Sequence, residues 1–562
     1  VPGRDESKIY FLCPALLVSS SERIGRAHLA AGNFRVPLSA RSIRRGQTTA
    51  ELPSLKFSPT GVGFFFKKEN ALNSLLKNKN FQILFLLYSS ALMFLGRQLN
   101  VGLPNFDDTY YAQKAKEMLA SGNLWVVTHN GLPDFANPPL PFWLTSLAFK
   151  VFGVSGYGAV FFTALLGVAA VYLTYILCFH LFRNGWVAFF SAFVLIFPGM
   201  FVDSSRRGMV DIILAFCVTG AMYFFVKGLE NRKFYLLFGL MTALAILTKS
   251  VLGGFPLVIA VVALIWSGRW KELFSAAFIF ATALALLLGF SWHIVNWLIF
   301  GQSFLDVHFG VLLFNRGYGG TASLIDFLGY AKDFLKNYWP WLPVALAGLF
   351  QFGRRAFVEK DIRSQVLFSW VVAVFLVMST SRNQTLRYLF MIFPALAIIS
   401  AKTLADWLPE RVREKSLPVV YGIVMAAVVF VNATPFQVKV TLSPNSVEVR
   451  QLAAVIHLNT PSGQKLGSYR LSTHNPRNAL LFYSDRYLND PIQETQELLS
   501  RVDDQPESTW LTSSLEFQNL EKSHPGQFYL IQANRKYAYF TSVKNKANIR
   551  YDFSGMTLPL IR

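Results

Sequence analysis

Charge is scarce in this chain. Only 15% of its 562 residues are Asp, Glu, Lys or Arg, where a soluble protein carries about 25%. The deficit excludes an ordinary water-soluble enzyme, and the 53% hydrophobic and 15% aromatic content shows what stands in place of charge. Acidic residues are the scarcer sign, 32 against 53 basic, for a net charge of +21. In so apolar a chain, basic loops retained on one side of a membrane explain that excess better than nucleic-acid binding, and no nucleic-acid partner is expected. Cysteine is nearly absent. Cys13, Cys178 and Cys217 are far apart, and the last two fall inside apolar runs, so neither a disulfide framework nor a metal cluster is indicated. Residues 435–562 also lack a Gly-rich phosphate loop, Cys/His ligand spacing and a nucleophile elbow.

What is present is a series of apolar segments: 81–96, 157–182, 186–201, 209–227, 233–248, 251–267, 273–300, 338–352, 365–379, 386–404 and 417–433. Each is long enough to cross a bilayer or nearly so. The expected fold is mainly α: a polytopic transmembrane helical bundle of eleven to thirteen helices over residues 81–434. Residues 1–80 hold 13 Lys or Arg and no long apolar run. They read as a disordered cytoplasmic tail, or as an upstream extension, without the cleavage site of a signal peptide. Beyond 434 the composition is ordinary. Val447 to Leu458 reads as a helix, and the alternation in Gln527–Gln532 and Lys536–Thr541 reads as strands, so 435–562 is expected to be a small extracytoplasmic, soluble α/β domain.

With a cytoplasmic N-terminus, alternate connections carry Arg183, then Lys227 and Lys233, Arg269 and Lys271, Arg354 to Arg363, and Lys402 to Lys415. This is a positive-inside pattern. The other connections should then share the outer face of a bacterial plasma membrane. They hold Asp107 and Asp108, Arg206 and Arg207 with Asp211, Lys249, His308 to Arg316, and Arg382 with Arg387. These charges are not explained by topology, and one polar site can draw on all of them.

The first outer loop, roughly 97–156, is the most informative. Ala112, Ala115, Met118 and Leu119 recur at helical spacing, so 108–121 reads as an interfacial helix opened by Asp107-Asp108 and stopped by Gly122-Asn123. Residues 142–152 fit a second interfacial helix or a crossing equally well. Paired carboxylates suit a reaction that deprotonates a hydroxyl, one as general base and the other as its positioner. Helix capping explains the same pair without chemistry. Asp211 has the same two readings. Lys249 is either a snorkelling lysine or an ammonium for a lipid phosphate. Arg382 and Arg387 lie against the positive-inside trend, which points to anion binding or to lipid headgroups. A lone His308 with Arg316 does not make a metal site.

Four elements in order resemble the GT-C integral-membrane glycosyltransferases of the family 39 and 83 group, the protein O-mannosyltransferases and lipid A aminoarabinose transferases. They are Asp107-Asp108-Thr-Tyr-Tyr111-Ala112 with Glu117-Met118-Leu119, Pro138-Pro139-Leu140-Pro-Phe-Trp143, Leu247-Thr-Lys249-Ser-Val-Leu-Gly253, and Arg387-Tyr388-Leu-Phe-Met-Ile-Phe-Pro394-Ala-Leu-Ala397. The resemblance implies inverting transfer of a sugar from a polyprenyl-phosphate donor to a hydroxyl on a lipid, glycan or protein. It makes Asp107 the catalytic carboxylate, with Asp108 and Asp211 as the further acidic positions. Lys249, Arg207, Arg382 and Arg387 are assigned to the donor phosphate, and Tyr111, Asn137, His308 and Arg316 to the substrate lining. Two departures stand out. Asp108 replaces the usual Glu, one methylene shorter, and Asn137 stands where aminoarabinose transferases carry a phosphate-binding lysine. Cations elsewhere must then hold the phosphate. No cofactor is expected, and a divalent metal is left open. The competing functions are a transporter, which calls for repeat symmetry and mid-membrane charge, and a polyprenyl-lipid binder that does not need Asp107.

Overall fold

In the computed structural model of the protein, the described residues are 74–96, 102–103, 107–197, 199–315, 329–381, 384–433, 444–471 and 477–544. The basic tail up to residue 73, Arg316 and Arg382 lie outside them. Every described residue belongs to one compact unit, 64–562.

Each apolar segment read from the sequence contains a helix. Among the described residues, seven helices are long and apolar enough to cross a membrane, or eight if the bent pair Gly185–Ile196 and Gly199–Ser205 forms one span. The smaller number has local causes. The helices Lys79–Leu95, Leu140–Phe152 and Leu342–Arg354 are short, at 17, 13 and 13 residues. The bent pair turns by 73°, at a break where the sequence places Pro198-Gly199. The segments 233–248 and 251–267 form one stretch, Arg232–Trp266, interrupted where Ser250 takes a φ of 51°. There the chain doubles back so tightly that a Cβ on Gly253 would fall 2.1 Å from the Ala245 carbonyl carbon. Only glycine fits that approach.

The helices share one large apolar core, in which Phe189, Phe225, Trp370, Phe393 and Ile398 are buried. A second core forms around the helices Asp107–Ser121 and Leu140–Phe152. It joins Ala112, Ala115 and Met118, the buried stripe expected of the first of these, to Phe142, Phe149, Trp292, Phe304 and Phe482. Phe482 comes from the C-terminal part of the chain. That part is a mixed α/β arrangement with sheet order β3-β4-β6-β5, where β3 is Gly467–Ser468, β4 Thr509–Ser513, β5 Tyr529–Ala533 and β6 Tyr537–Thr541. β3 runs parallel to β4, and the other pairs are antiparallel. The helix Pro444–Asn459 packs its Leu452 and Ile456 against Leu481, Leu511 and Tyr539. Both the helix near 447–458 and the strands near 527–541 therefore occur where the residue pattern places them.

Candidate active site

The helix Asp107–Ser121 carries two acids in its first turn, where the helix dipole favours them. It is braced from the other end. Glu117 is 5% exposed, and its carboxylate accepts from the backbone N–H groups of Asn130 at 2.7 Å and Gly131 at 3.1 Å and from Gln113 Nε2 at 2.8 Å. Asn130 and Gly131 have φ of 59° and 74°. They form the two-residue turn between β1 (Thr128–His129) and β2 (Leu132–Pro133), as an Asn-Gly pair commonly does. Beyond this hairpin, Pro138-Pro139 lead into the helix Leu140–Phe152. Trp143 Nε1 donates to the Leu124 carbonyl at 2.7 Å, and its ring meets Trp125 edge-on. At 13 residues this helix is shorter than a single crossing needs.

Three carboxylates and three cations from four segments converge at the start of the 107–121 helix. Asp108 is fully buried and is gripped by Arg207, with Nη2 to Oδ2 at 2.6 Å and Nε to Oδ1 at 3.1 Å. Arg207 also reaches Asp203 at 3.5 Å. Burial alone would lower the Arg207 pKa, but the Asp108 carboxylate outweighs it and holds the guanidinium charged. Asp211, in the first turn of Val210–Glu230, is ion-paired with Lys249. The Lys249 ammonium also stands 4.3 Å over the Tyr388 ring, a favourable cation–π position. Asp107 differs from both. Its side chain is 38% exposed, and Arg387 Nη1 approaches Oδ2 only to 3.4 Å. Partial burial pushes the Asp107 pKa above its ordinary value; the Arg387 charge opposes this, and the neighbouring Asp108 and Asp211 charges reinforce it.

Tyr111 is half-buried beside this cluster, its ring against Phe142. Asn137 belongs to a neighbouring group. Its side-chain oxygen accepts from Lys114 Nζ at 3.4 Å, while Lys114 pairs with Asp134 at 2.9 Å and Tyr110 donates to Asp134 at 2.5 Å. Lys114 is completely buried and lies over the Tyr110 ring at 4.0 Å. Its burial lowers the pKa against the pull of Asp134. His308 is buried and hydrogen-bonded to Ser250 and to the Phe135 carbonyl. The residue-by-residue reading missed Lys114, Asp134 and Ser250. Lys114 did leave a signal, since it sits one residue from Ala115 on the stripe that packs inward. Among the described residues, no group of three or more His, Cys, Asp or Glu is arranged to hold a metal ion.

Comparison with known proteins agrees with this architecture. Residues 82–313 match the family described as dolichyl-phosphate-mannose-protein mannosyltransferase. An uncharacterized protein of Aquifex aeolicus is 28% identical over 349 residues, 61% of this chain and 67% of that one. An undecaprenyl phosphate-alpha-4-amino-4-deoxy-L-arabinose arabinosyl transferase of an Enterobacter species is 25% identical over 364 residues, 59% of this chain. The match spans 61% of that transferase and 54% of the corresponding Sodalis glossinidius protein. Among solved structures, ArnT of Cupriavidus metallidurans bound to undecaprenyl phosphate superimposes with a TM-score of 0.68 at 17% identity, covering 83% of this chain and 99% of that chain. The oligosaccharyltransferase AglB of Archaeoglobus fulgidus gives 0.50 at 13% identity, covering 84% and 75%. The chain is thus a membrane protein with the GT-C fold of ArnT, similar over residues 82–313 to the dolichyl-phosphate-mannose-protein mannosyltransferase family.

Proposed function

We propose that the protein transfers a sugar from a polyprenyl-phosphate donor to a hydroxyl-bearing acceptor, with inversion, at the extracytoplasmic face. The observation that carries this is the contrast among the three carboxylates. Asp108 and Asp211 are buried under cations, whereas Asp107 is partly exposed and only loosely paired. Asp107 is the group able to accept a proton from an incoming hydroxyl. As the acceptor oxygen forms its bond to the anomeric carbon, the bond from that carbon to the phosphate oxygen breaks, and the proton passes to Asp107. The leaving polyprenyl phosphate carries the departing negative charge. Lys249 and Arg387 supply positive charge for it, with Arg207 held back by Asp108. Asp211 fixes Lys249, and Tyr388 gives its ammonium an aromatic face. No nucleotide enters the reaction.

The named relatives use aminoarabinose or mannose lipids, but Asn137 and its Lys114–Asp134 neighbours leave the sugar and acceptor open to assay. The test is to incubate purified protein in lipid nanodiscs with a panel of labelled undecaprenyl-phosphate sugars and with lipid, glycan and peptide hydroxyl acceptors. Wild type should release undecaprenyl phosphate and label an acceptor. Asp107→Asn should reduce turnover by at least about 100-fold, the scale of a lost general base, while still binding the lipid. Turnover unchanged by Asp107→Asn would sink the mechanism. Orientation is tested separately: a cysteine placed at exposed Glu507 should react with a membrane-impermeant thiol reagent from the outer face.

A further inference from the structure

Three polar side chains distant in sequence meet in a buried cluster beside the Lys249 turn. Ser250 Oγ lies 2.8 Å from His293 Nε2 and 2.9 Å from His308 Nε2. His308 Nδ1 lies 2.6 Å from the Phe135 carbonyl oxygen. Ser250, His293 and His308 are 9%, 5% and 5% exposed, and the reaction above uses none of them on substrate.

The hydrogen pattern follows from the carbonyl. A carbonyl oxygen only accepts, so His308 Nδ1 carries the hydrogen. Burial holds His308 below its ordinary pKa, which leaves its Nε2 bare to accept from the Ser250 hydroxyl. Ser250 Oγ then accepts the Nε2–H of His293. His293 Nδ1 is left without a hydrogen and, among the described residues, without a partner. The result is a chain in one direction, from His293 through Ser250 and His308 to Phe135. It ties three elements together: the helix Ser291–Phe300, the segment Asp306–Asn315, and the first outer loop. The first two meet directly at Ser250 and the loop joins through His308; the Ser250 φ of 51° is one that L side chains adopt only when their surroundings enforce it.

We propose that Ser250, His293 and His308 are positioning residues for the Lys249 ammonium: their hydrogen-bonded chain latches the Lys249–Ser250 turn so that Lys249 faces Asp211 and the donor phosphate. The phosphate half of this statement rests on the proposed function; the latch itself does not.

The His293 chemistry makes the test specific. Only Nε2 of His293 is used, and a Gln side chain places its amide nitrogen near that position, whereas Asn places it near Nδ1. Full-length Ser250→Ala, His293→Asn, His293→Gln and Lys249→Met proteins are compared by regional hydrogen exchange and by binding of undecaprenyl phosphate. Ser250→Ala and His293→Asn should speed exchange of amides 249–254 by about tenfold, the scale of one lost buried hydrogen bond, with distant helices unchanged. Both should weaken lipid binding several-fold, and neither should weaken it further when combined with Lys249→Met. His293→Gln should match wild type in both readouts. Unchanged exchange in Ser250→Ala, equal damage from Gln and Asn at position 293, or full additivity with Lys249→Met would each overturn the latch. If wild type does not bind the lipid, the proposed donor fails and the exchange data alone decide the latch.

Discussion

Asp107, Asp108 and Asp211 are the same side chain in three surroundings, and the surroundings divide their work. Asp108 loses all contact with water and is compensated by a bidentate guanidinium. Removing one partner of such a pair strands the other, at a cost of about 3 kcal/mol. Asp107 is the reverse case. Its folded pKa lies above the ordinary 3.8, so the folded state favours its protonated form. Stability from such a group is fully present below the unfolded pKa and is lost as pH rises through the folded one, so at neutral pH the ionised Asp107 works against folding. Thermal melts at pH 7 should therefore separate the neighbours: Asp108→Asn lowers Tm by several degrees, and Asp107→Asn raises it. Opposite results would show that the burial read for the two residues is interchanged. The raised pKa also fixes the pH profile. The acid limb of kcat/KM should fall above pH 3.8, and Arg387→Met should move it higher, since the guanidinium favours the carboxylate. A limb that does not move with Arg387→Met would separate Asp107 from the titrating base.

Elements matter here mainly through their ends. The acidic pair occupies a helix start, Lys249 a helix end, and Asp211 a helix start, so short turns aim the whole charge cluster. The Lys249 turn is the tightest. A methyl group on Gly253 has nowhere to go except into the backbone of Ala245. Gly253→Ala should weaken undecaprenyl phosphate binding about tenfold or more without removing a charge, because a displaced Lys249 loses Asp211 and Tyr388 together. Binding equal to wild type in a folded Gly253→Ala protein would show that the turn does not aim Lys249. The helices themselves were legible from their apolar runs and from the stripe of Ala112, Ala115 and Met118. A turn at Lys249 was expected from the two apolar segments that flank it, but the packing of Gly253 against the Ala245 backbone was not, because nothing in Lys-Ser-Val-Leu-Gly-Gly sets that contact.

Across the whole molecule, the C-terminal α/β part bears directly on the loop that carries Asp107. Asn130 Nδ2 donates to the Leu488 carbonyl at 2.8 Å, and Leu488 N–H donates to Asn130 Oδ1 at 2.8 Å. Lys116 pairs with Asp485 at 2.6 Å and donates to the Phe482 carbonyl at 3.1 Å, and Tyr483 accepts the Leu103 N–H at 2.6 Å. The 107–121 helix is thereby held from its far end by Glu117 and from its side by residues 482–488. Asn130→Ala removes two buried hydrogen bonds and should speed hydrogen exchange in both 128–133 and 477–488. It should also lower transfer severalfold without touching a reacting group. Faster exchange confined to 128–133 would show that the two parts are not coupled through Asn130.

By itself the sequence determined the class of solvent, the helices and the members of the charge cluster. Each is written in local composition or spacing: apolar runs long enough for a bilayer, basic residues on alternate connections, acids at helix starts. It also held the resemblance, carried by Asp107-Asp108, Pro138-Pro139, Lys249 and Arg387 in order. Only the tertiary structure decided which carboxylate is buried and which is exposed, and that Lys249 belongs with Asp211 and Arg207 with Asp108. It alone placed Asn137 with Lys114 and joined His293 and His308 through Ser250. Pairing and burial depend on segments separated by tens to hundreds of residues. Such contacts leave no period in the chain, because they are set by how helices pack and not by how they form.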